Sequence, residues 1–160
     1  MKPRVALFAG SFDPYTNGHH AIVRKCAALF DEVIVMIGVN VRKSRAFDAE
    51  AMRAAMQALF AREGLSNARA VIHSGLVADY CAQNGVRYYV RGLRSGADYE
   101  YEEANARVNQ RLNPELETLY LRADDDALSS SMIRELMAFG KPVAEYVPEE
   151  ILPVITGKRE

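Results

Sequence analysis

Short apolar runs alternate with amphipathic stretches along almost the whole chain, and this alternation constrains the fold more than any other feature. Runs typical of buried strands cover residues 4–9, 32–39, 68–73, 87–90 and 116–121. Patterns typical of helices follow at 18–30, 48–63, 77–84, 98–111 and 129–139, and Pro148-Glu149-Glu150 is expected to open a last short helix. Strands that are each followed by a helix predict an α/β fold with a parallel sheet in one domain over residues 1–160.

The loops that follow the strands are expected to hold the chemistry, because ligands bind such sheets outside the carboxyl ends of the strands. Their sequences are GSFDPYTNGH, NVRKSRAF, SGL, RGLRSGAD and ADDDALSSS. None is a G-x-x-x-x-G-K-[ST] loop, and no G-x-G-x-x-G follows the first strand, which excludes a P-loop ATPase and an ordinary dinucleotide dehydrogenase. Basic side chains and helix N-termini on one rim nevertheless predict a site for anionic groups.

The charge of the chain limits its possible partners, and its cysteine content indicates a cellular compartment. The 20 Lys and Arg residues nearly cancel 21 Asp and Glu residues, so the net charge of −1 disfavours a nucleic-acid or membrane-surface partner. Cys26 and Cys81 lie far apart without metal-ligand spacing, which favours buried thiols in a reducing compartment. The chain shows no signal-peptide core and no apolar run of membrane-spanning length, so a cytoplasmic location is expected.

The most informative tetrapeptide is Thr16-Asn17-Gly18-His19, which places an imidazole in the first turn of the first helix. The glycine beside it lets a phosphate approach the backbone. Two further blocks stand at corresponding positions of the alternation: Arg91-Gly92-Leu93-Arg94, expected as a loop after the fourth strand, and LSSSMIR, residues 128–134, after the fifth. The occurrence of all three blocks in one chain identifies a protein family far more specifically than any single block does.

Together these blocks resemble the T/HxGH nucleotidyltransferase superfamily and, within it, the phosphopantetheine adenylyltransferase family, over roughly the whole chain. The resemblance implies a Rossmann-like, doubly wound five-stranded parallel sheet with helices on both faces. It implies transfer of the adenylyl group of ATP to 4′-phosphopantetheine, which gives 3′-dephospho-coenzyme A and pyrophosphate in coenzyme A biosynthesis. It also implies Mg²⁺ held mainly by the ATP phosphates, no protein metal site, a homohexamer, and coenzyme A as a feedback ligand.

The resemblance further implies roles for single residues. The acceptor phosphate would attack the α-phosphorus of ATP directly, so that His19 stabilises the transition state and no side chain is the nucleophile. The phosphopantetheine contacts would be Ser11, Lys43, Val77 and Arg91. The ATP contacts would be Ser11, Phe12, His19, Gly92, Leu93, Arg94, Glu102, Asp125, Asp126, Ala127, Leu128, Ser129, Ser130 and Ser131, with Arg134 as a candidate for the β- or γ-phosphate.

Several of these residues also have a structural interpretation. His19 could merely cap its helix, and Ser129, Ser130 and Ser131 could be N-caps, although no capping box follows them. The assignment of the phosphate contact to Lys43 stays open, because Arg42 and Arg45 are close by and a basic loop of this kind could simply be solvated.

A structural alternative is also strong for Glu102, and a structural role is the expected one for several other polar groups. Glu102 lies beside the i,i+4 pair of Glu103 and Arg107, which favours a charged surface of the helix. The acidic run 124–126 is expected to form a solvated turn rather than a Mg²⁺ site. His20 and His73 are expected to be structural.

Two other functions stay open. A sister nucleotidyltransferase acting on nicotinamide mononucleotide or glycerol 3-phosphate would share His19, but Lys43, Arg91 and the RGLR block argue against it. A non-catalytic nucleotide-binding module could use the same fold. The presence of His19 together with the serine triplet favours catalysis.

Overall fold

The computed structural model describes residues 1–124 and 127–157, and its centre is a sheet of five parallel strands. The strands are β1 (Val5–Gly10), β2 (Glu32–Gly38), β3 (Ala68–His73), β4 (Tyr88–Leu93) and β5 (Glu117–Arg122). Their order across the sheet is β3-β2-β1-β4-β5, and every pair is parallel. This order confirms the predicted doubly wound topology.

Helices connect the strands as the apolar periodicity predicts. They are α1 (Asn17–Leu29), α2 (Ala49–Arg62), α3 (Val77–Asn84), α4 (Gly96–Leu112), α5 (Ser130–Ala138) and α6 (Leu152–Thr156), with a short 3₁₀ turn at Ala144–Tyr146. Asp48 caps α2 by accepting a hydrogen bond from the backbone N–H of Ala51 at 2.8 Å, as expected. Gly85 ends α3 with a φ of 66°, a conformation that glycine adopts without steric cost.

Side chains of β1 alternate between two apolar clusters on opposite faces of the sheet. Ala6 and Phe8 belong to the cluster formed with α1, α2, α5 and α6. Leu7 and Ala9 belong to the cluster that includes Cys81 of α3. Burial on both faces explains why β1 and β2 are almost wholly apolar. The expectation of helices on both faces is confirmed.

Both cysteines are free thiols inside these clusters. Burial raises the pKa of Cys26 to about 12 and that of Cys81 to about 11, so both stay protonated and unreactive at neutral pH. No helix in the described part of the chain is long and apolar enough to cross a membrane.

Two boundaries differ from the sequence prediction by three residues or more. β4 continues to Leu93, so that Arg91 and Gly92 pair with Tyr120 and Leu121 of β5 instead of forming a loop. Arg and Gly are not typical strand residues, and ladder pairing with β5 overrides that preference. The strand therefore carries Arg91 to the edge where ligands bind.

The last helix also begins later than expected, at Leu152 rather than near Pro148. The backbone N–H of Ile151 donates to the Pro148 carbonyl at 3.0 Å, so the intervening residues form a turn. Proline tolerates a turn as readily as a first helical turn, which explains the difference.

Candidate active site

A cavity of about 340 Å³ opens at the carboxyl ends of β1 and β4. The two connections that leave β1 and β4 go to opposite faces of the sheet, and such a switch point is where doubly wound folds bind ligands. Most residues predicted to contact ATP line this cavity: Ser11, Phe12, His19, Gly92, Arg94, Glu102, Ala127, Leu128, Ser129 and Ser130, together with Arg91.

The remaining predicted residues lie elsewhere. Lys43 is exposed on the loop after β2, and it does not line this cavity. Leu93, Ser131 and Arg134 also lie outside the cavity lining. Asp125 and Asp126 fall outside the described residues.

His19 is held by the first turn of its own helix. Its Nδ1 accepts a hydrogen bond from the backbone N–H of Thr16 at 3.0 Å, while its backbone N–H donates to the Thr16 hydroxyl at 3.2 Å. This is a capping box with histidine at the position usually taken by Glu or Gln. His19 therefore caps α1 and lines the cavity at the same time.

The protonation of His19 follows from these contacts. Burial, and then the positive charges of Arg91 and Arg94, lower the pKa of His19 to about 4. The ring is therefore neutral at pH 7, and because Nδ1 accepts from Thr16, we assign the single ring proton to Nε2. A neutral Nε2–H can donate a hydrogen bond to a phosphate oxygen. The rings of Phe12 and Tyr15 pack against the imidazole, with centroids 4.9 and 5.7 Å away.

Gly18 allows the loop before α5 to approach the start of α1. A Cβ added at Gly18 would lie 2.7 Å from the Cβ of Ala127, closer than two carbon atoms can pack. The close approach of Ala127 to the start of α1, within the cavity wall, therefore requires glycine at this position of the TNGH tetrapeptide.

Two residues of LSSSMIR bind the first loop rather than standing free. The Ser130 hydroxyl donates to the Pro14 carbonyl at 2.7 Å, and Arg134 Nη1 donates to the Asp13 carbonyl. Ser129 caps α5 by accepting from the Met132 N–H at 3.2 Å, without a capping box. The N-cap interpretation of Ser129 and its place in the cavity lining are thus both correct.

Arg91 and Glu102 form a bidentate ion pair across the cavity wall. Nε and Nη2 of Arg91 each donate to a Glu102 carboxylate oxygen at 2.8 Å. Nη1 donates to the Ala9 carbonyl at 2.7 Å and to the Tyr89 hydroxyl at 3.1 Å. Burial alone would lower the pKa of Arg91, but the hydrogen bonds to Glu102 raise it, so Arg91 stays charged. Glu102 is therefore a buried partner of Arg91 and not part of a solvated helix face.

A second cavity of about 340 Å³ lies on the other side of this pair. It is lined by the start of α3, including Val77, and by residues of α4 such as Asn105 and Asn109. Arg91 and Glu102 line both cavities. Two ligands bound in the two cavities would therefore meet at Arg91.

The described residues include no group of three or more His, Cys, Asp or Glu side chains that could hold a metal ion. The two carboxylates that line the first cavity are each paired with an arginine. Glu102 binds Arg91, and Asp98 accepts from the Arg94 backbone N–H at 3.0 Å and lies 3.5 Å from Arg94 Nε. A cation in this cavity would have to bring most of its own ligands.

The other two histidines are not among the residues that line either cavity. His20 is buried, with Nδ1 2.8 Å from the Tyr15 hydroxyl and Nε2 bonded to Glu63. His73 packs its ring on Tyr80, and its buried Nε2 has no hydrogen-bond partner among the described residues.

Sequence reasoning missed the role of Thr16 in the capping box and the position of Asp98 in the cavity lining. The only sequence signal for Thr16 was the TNGH tetrapeptide itself, because histidine is not a usual capping-box residue.

Residues 7–136 match the model of the cytidylyltransferase-like family. A Porphyromonas gingivalis protein named phosphopantetheine adenylyltransferase is 42% identical over 151 residues, which cover 93% of this chain and 97% of the relative. A protein of the same name from Lacticaseibacillus casei is 40% identical over 161 residues, which cover 99% of this chain and 95% of the relative.

A solved structure from Vibrio parahaemolyticus, assigned as a nicotinate-nucleotide adenylyltransferase, superposes with a TM-score of 0.70. The match covers 96% of this chain and 91% of that one, at 16% sequence identity. At this identity the likeness concerns the fold alone, and it agrees with the doubly wound sheet described above.

Proposed function

The chain belongs to the cytidylyltransferase-like family and, within it, to the phosphopantetheine adenylyltransferases, and from this premise we propose that it transfers the adenylyl group of ATP to 4′-phosphopantetheine between its two cavities. ATP would occupy the cavity that His19 lines, and the pantetheine arm would occupy the cavity that Val77 lines. The products would be 3′-dephospho-coenzyme A and pyrophosphate.

The single observation that carries this proposal is the sharing of Arg91 by both cavities. Its hydrogen bonds to the described residues use four of its five N–H groups, and none of these residues accepts from the second N–H of Nη2. A charged guanidinium with a donor to spare, held rigidly where two ligands would meet, suits the phosphate of the acceptor.

In the proposed reaction, an oxygen of the 4′-phosphate attacks the α-phosphorus of ATP in line with the bond to the β-phosphate. A new oxygen–phosphorus bond forms, and the bond between the α-phosphorus and the oxygen that bridges it to the β-phosphorus breaks. Pyrophosphate leaves with that oxygen and the electron pair of the broken bond. No side chain becomes covalently modified, so catalysis consists of positioning and charge stabilisation. The neutral Nε2–H of His19 would donate to an α-phosphate oxygen as its negative charge grows.

Ser11, Phe12 and the start of α5 would contact the phosphates of ATP, since they line the same cavity as His19. Lys43 would reach the acceptor phosphate from the exposed loop after β2. Mg²⁺ would arrive on the triphosphate and supply charge neutralisation, because Asp98 and Glu102 are already paired with arginines.

A homohexamer is part of the proposal and is supported by the exposed side of α4. Tyr101, Val108 and Leu112 share one helix face at spacings of seven and four residues, and their exposures are 70%, 57% and 51%. Apolar side chains in this pattern favour contact with other copies of the chain. Light scattering should give a mass of six chains, and a monomer at micromolar concentration would contradict this part.

We also propose a cytoplasmic location, which is supported by two free, buried thiols. Coenzyme A, which carries the same pantetheine arm as the acceptor, would compete for the second cavity. The net charge of −1 argues against nucleic-acid and membrane partners.

An acceptor panel tests the proposed function. The protein is incubated with Mg²⁺ and ATP together with 4′-phosphopantetheine, nicotinamide mononucleotide or glycerol 3-phosphate, and pyrophosphate is measured. Release with phosphopantetheine alone supports the proposal. Release with either other acceptor instead would favour a sister nucleotidyltransferase, and ATP binding without release would favour a non-catalytic nucleotide-binding module.

A further inference from the structure

Arg45, on the loop after β2, binds the backbone of the loop that carries Ser11 and Phe12. Its Nη1 donates to the Ser11 carbonyl at 2.6 Å, and its Nη2 donates to the Phe12 carbonyl at 3.3 Å. Its Nε donates to the carbonyl of Phe47 at 3.1 Å, which holds the guanidinium in place. The side chain is only 16% exposed. Arg45 is absent from the lining of the first cavity, so any effect on the site passes through the residues that it holds.

Asp13 makes the complementary contact from the first loop. Its carboxylate oxygens accept from the backbone N–H groups of Ala46 and Phe47 at 2.9 and 3.0 Å. Nη2 of Arg45 lies 3.7 Å from Asp13 Oδ1. Each loop therefore supplies one charged side chain that binds the backbone of the other, which ties the two loops into one unit.

The backbone that Arg45 holds is strained at Phe12. This residue has a φ of 45°, in the left-handed region that side chains other than glycine rarely adopt. Such a conformation costs on the order of 1–3 kcal/mol and persists only where neighbouring contacts enforce it. Phe12 is 1% exposed and its ring packs on His19, so a change in this conformation would also disturb the imidazole.

The two carbonyls also set the direction of two backbone N–H groups. A peptide group is planar and trans, so a carbonyl that faces Arg45 turns the N–H of the same group to the opposite side. The Ser11 carbonyl belongs to the same peptide group as the Phe12 N–H. Arg45 thus orients a backbone donor in a segment that lines the cavity.

We propose that Arg45 is a positioning residue for the adenylyl transfer, an inference that rests on the proposed function. It fixes the Ser11–Phe12 peptide for contact with phosphate and ties the loop that bears Lys43 to the end of β1. Lysine could not replace it, because a single ammonium group lacks the planar fork that reaches both carbonyls.

The test compares Arg45→Met and Arg45→Lys with Arg53→Met on α2. The guanidinium of Arg53 binds Glu50 of the same helix, and Arg53 is in the lining of neither cavity. Arg45→Met should lower kcat per folded molecule by about 10- to 100-fold, a typical cost of misplaced reacting groups. Arg45→Lys should lose nearly as much, and Arg53→Met should stay within about twofold of the unmodified protein.

Two readouts separate positioning from a general loss of stability. Circular dichroism gives the folded fraction, and calorimetry gives the affinity for ATP, which should fall about tenfold in both Arg45 variants but not in Arg53→Met. Arg45→Lys keeps a positive charge beside Asp13, so this variant tests the positioning role if Arg45→Met does not fold. Unchanged ATP affinity and kcat in Arg45→Lys would overturn the inference.

If the proposed function is wrong, the activity measurements give a different result. In that case the unmodified protein releases no pyrophosphate with any acceptor, whatever the variants do. The calorimetric comparison of ATP affinity still decides the role of Arg45, because it does not depend on turnover.

Discussion

His19 Nδ1 accepts a hydrogen bond from the backbone N–H of Thr16 at 3.0 Å, so the helix cap selects which ring nitrogen of His19 carries the proton. The capping box leaves Nε2–H as the only ring donor of the neutral imidazole. In the proposed function, helix capping and phosphate binding would be linked through this one side chain. Such a double role would explain why a histidine stands where a glutamate or glutamine would serve the cap alone.

The first prediction concerns the ionisation of His19 in the ligand-free protein. Burial and the nearby charges of Arg91 and Arg94 lower its pKa to about 4, so an NMR titration should show one imidazole with a midpoint near that value. Its nitrogen shifts at neutral pH should report the Nε2–H tautomer. A midpoint near the ordinary value of 6.5, or an Nδ1–H tautomer, would contradict the assignment.

The second prediction concerns stability against pH. Burial lowers the pKa of both His19 and His20 in the folded state, so below their ordinary value the unfolded chain binds more protons. Their stabilising contribution is therefore present above pH 6.5 and is lost as the pH falls, for His19 down to about 4.

Urea unfolding measured from pH 7 to pH 4 should show the free energy of unfolding decreasing by up to about 1.4 kcal/mol per pH unit for each histidine. Hydrogen bonding to Arg24 lowers the pKa of Glu63 to about 2, so this carboxylate loses its contribution only at lower pH, below about 4.5. A free energy of unfolding that stays constant across the range would refute the buried, neutral state of the histidines.

The third prediction concerns the close approach at Gly18. Gly18→Ala would place a Cβ 2.7 Å from that of Ala127, so the loop before α5 must shift away from the cavity. We expect kcat/KM for ATP to fall at least about tenfold, since small displacements of binding groups carry large kinetic costs.

Gly96→Ala is the matched control, because a Cβ at that position in α4 meets nothing within 4 Å. Alanine there should leave kcat/KM within about twofold and slightly stabilise the helix. Equal kinetic effects of the two substitutions would show that the contact with Ala127 does not shape the site.

The order of strands and helices could be predicted from the sequence because buried parallel strands are almost continuously apolar and helices show a three-to-four-residue apolar period. The three blocks also identified the family, which the comparisons confirm. Most of the predicted ATP contacts do line one cavity, because the loops after parallel strands meet at one edge of the sheet.

Features that depend on long-range pairing could not be predicted in the same way. The extension of β4 through Arg91 and Gly92 depends on hydrogen bonds to β5, which local strand propensity does not report. In the sequence, Arg45 is one more basic residue of a loop that could be solvated. Its role depends on the approach of a loop 34 residues away in sequence. The pairing of Glu102 with Arg91 likewise requires α4 to pack against β4.

The most direct test of the central claim is pyrophosphate release from ATP and 4′-phosphopantetheine by the unmodified protein and by His19→Ala, measured side by side. Loss of a donor that stabilises developing charge should lower kcat by about two to four orders of magnitude. The lost cap should cost only about 1 kcal/mol of stability, so the variant should remain folded. His73→Ala, which alters a histidine outside both cavity linings, should keep near-normal turnover. Turnover of His19→Ala close to that of the unmodified protein would contradict the account.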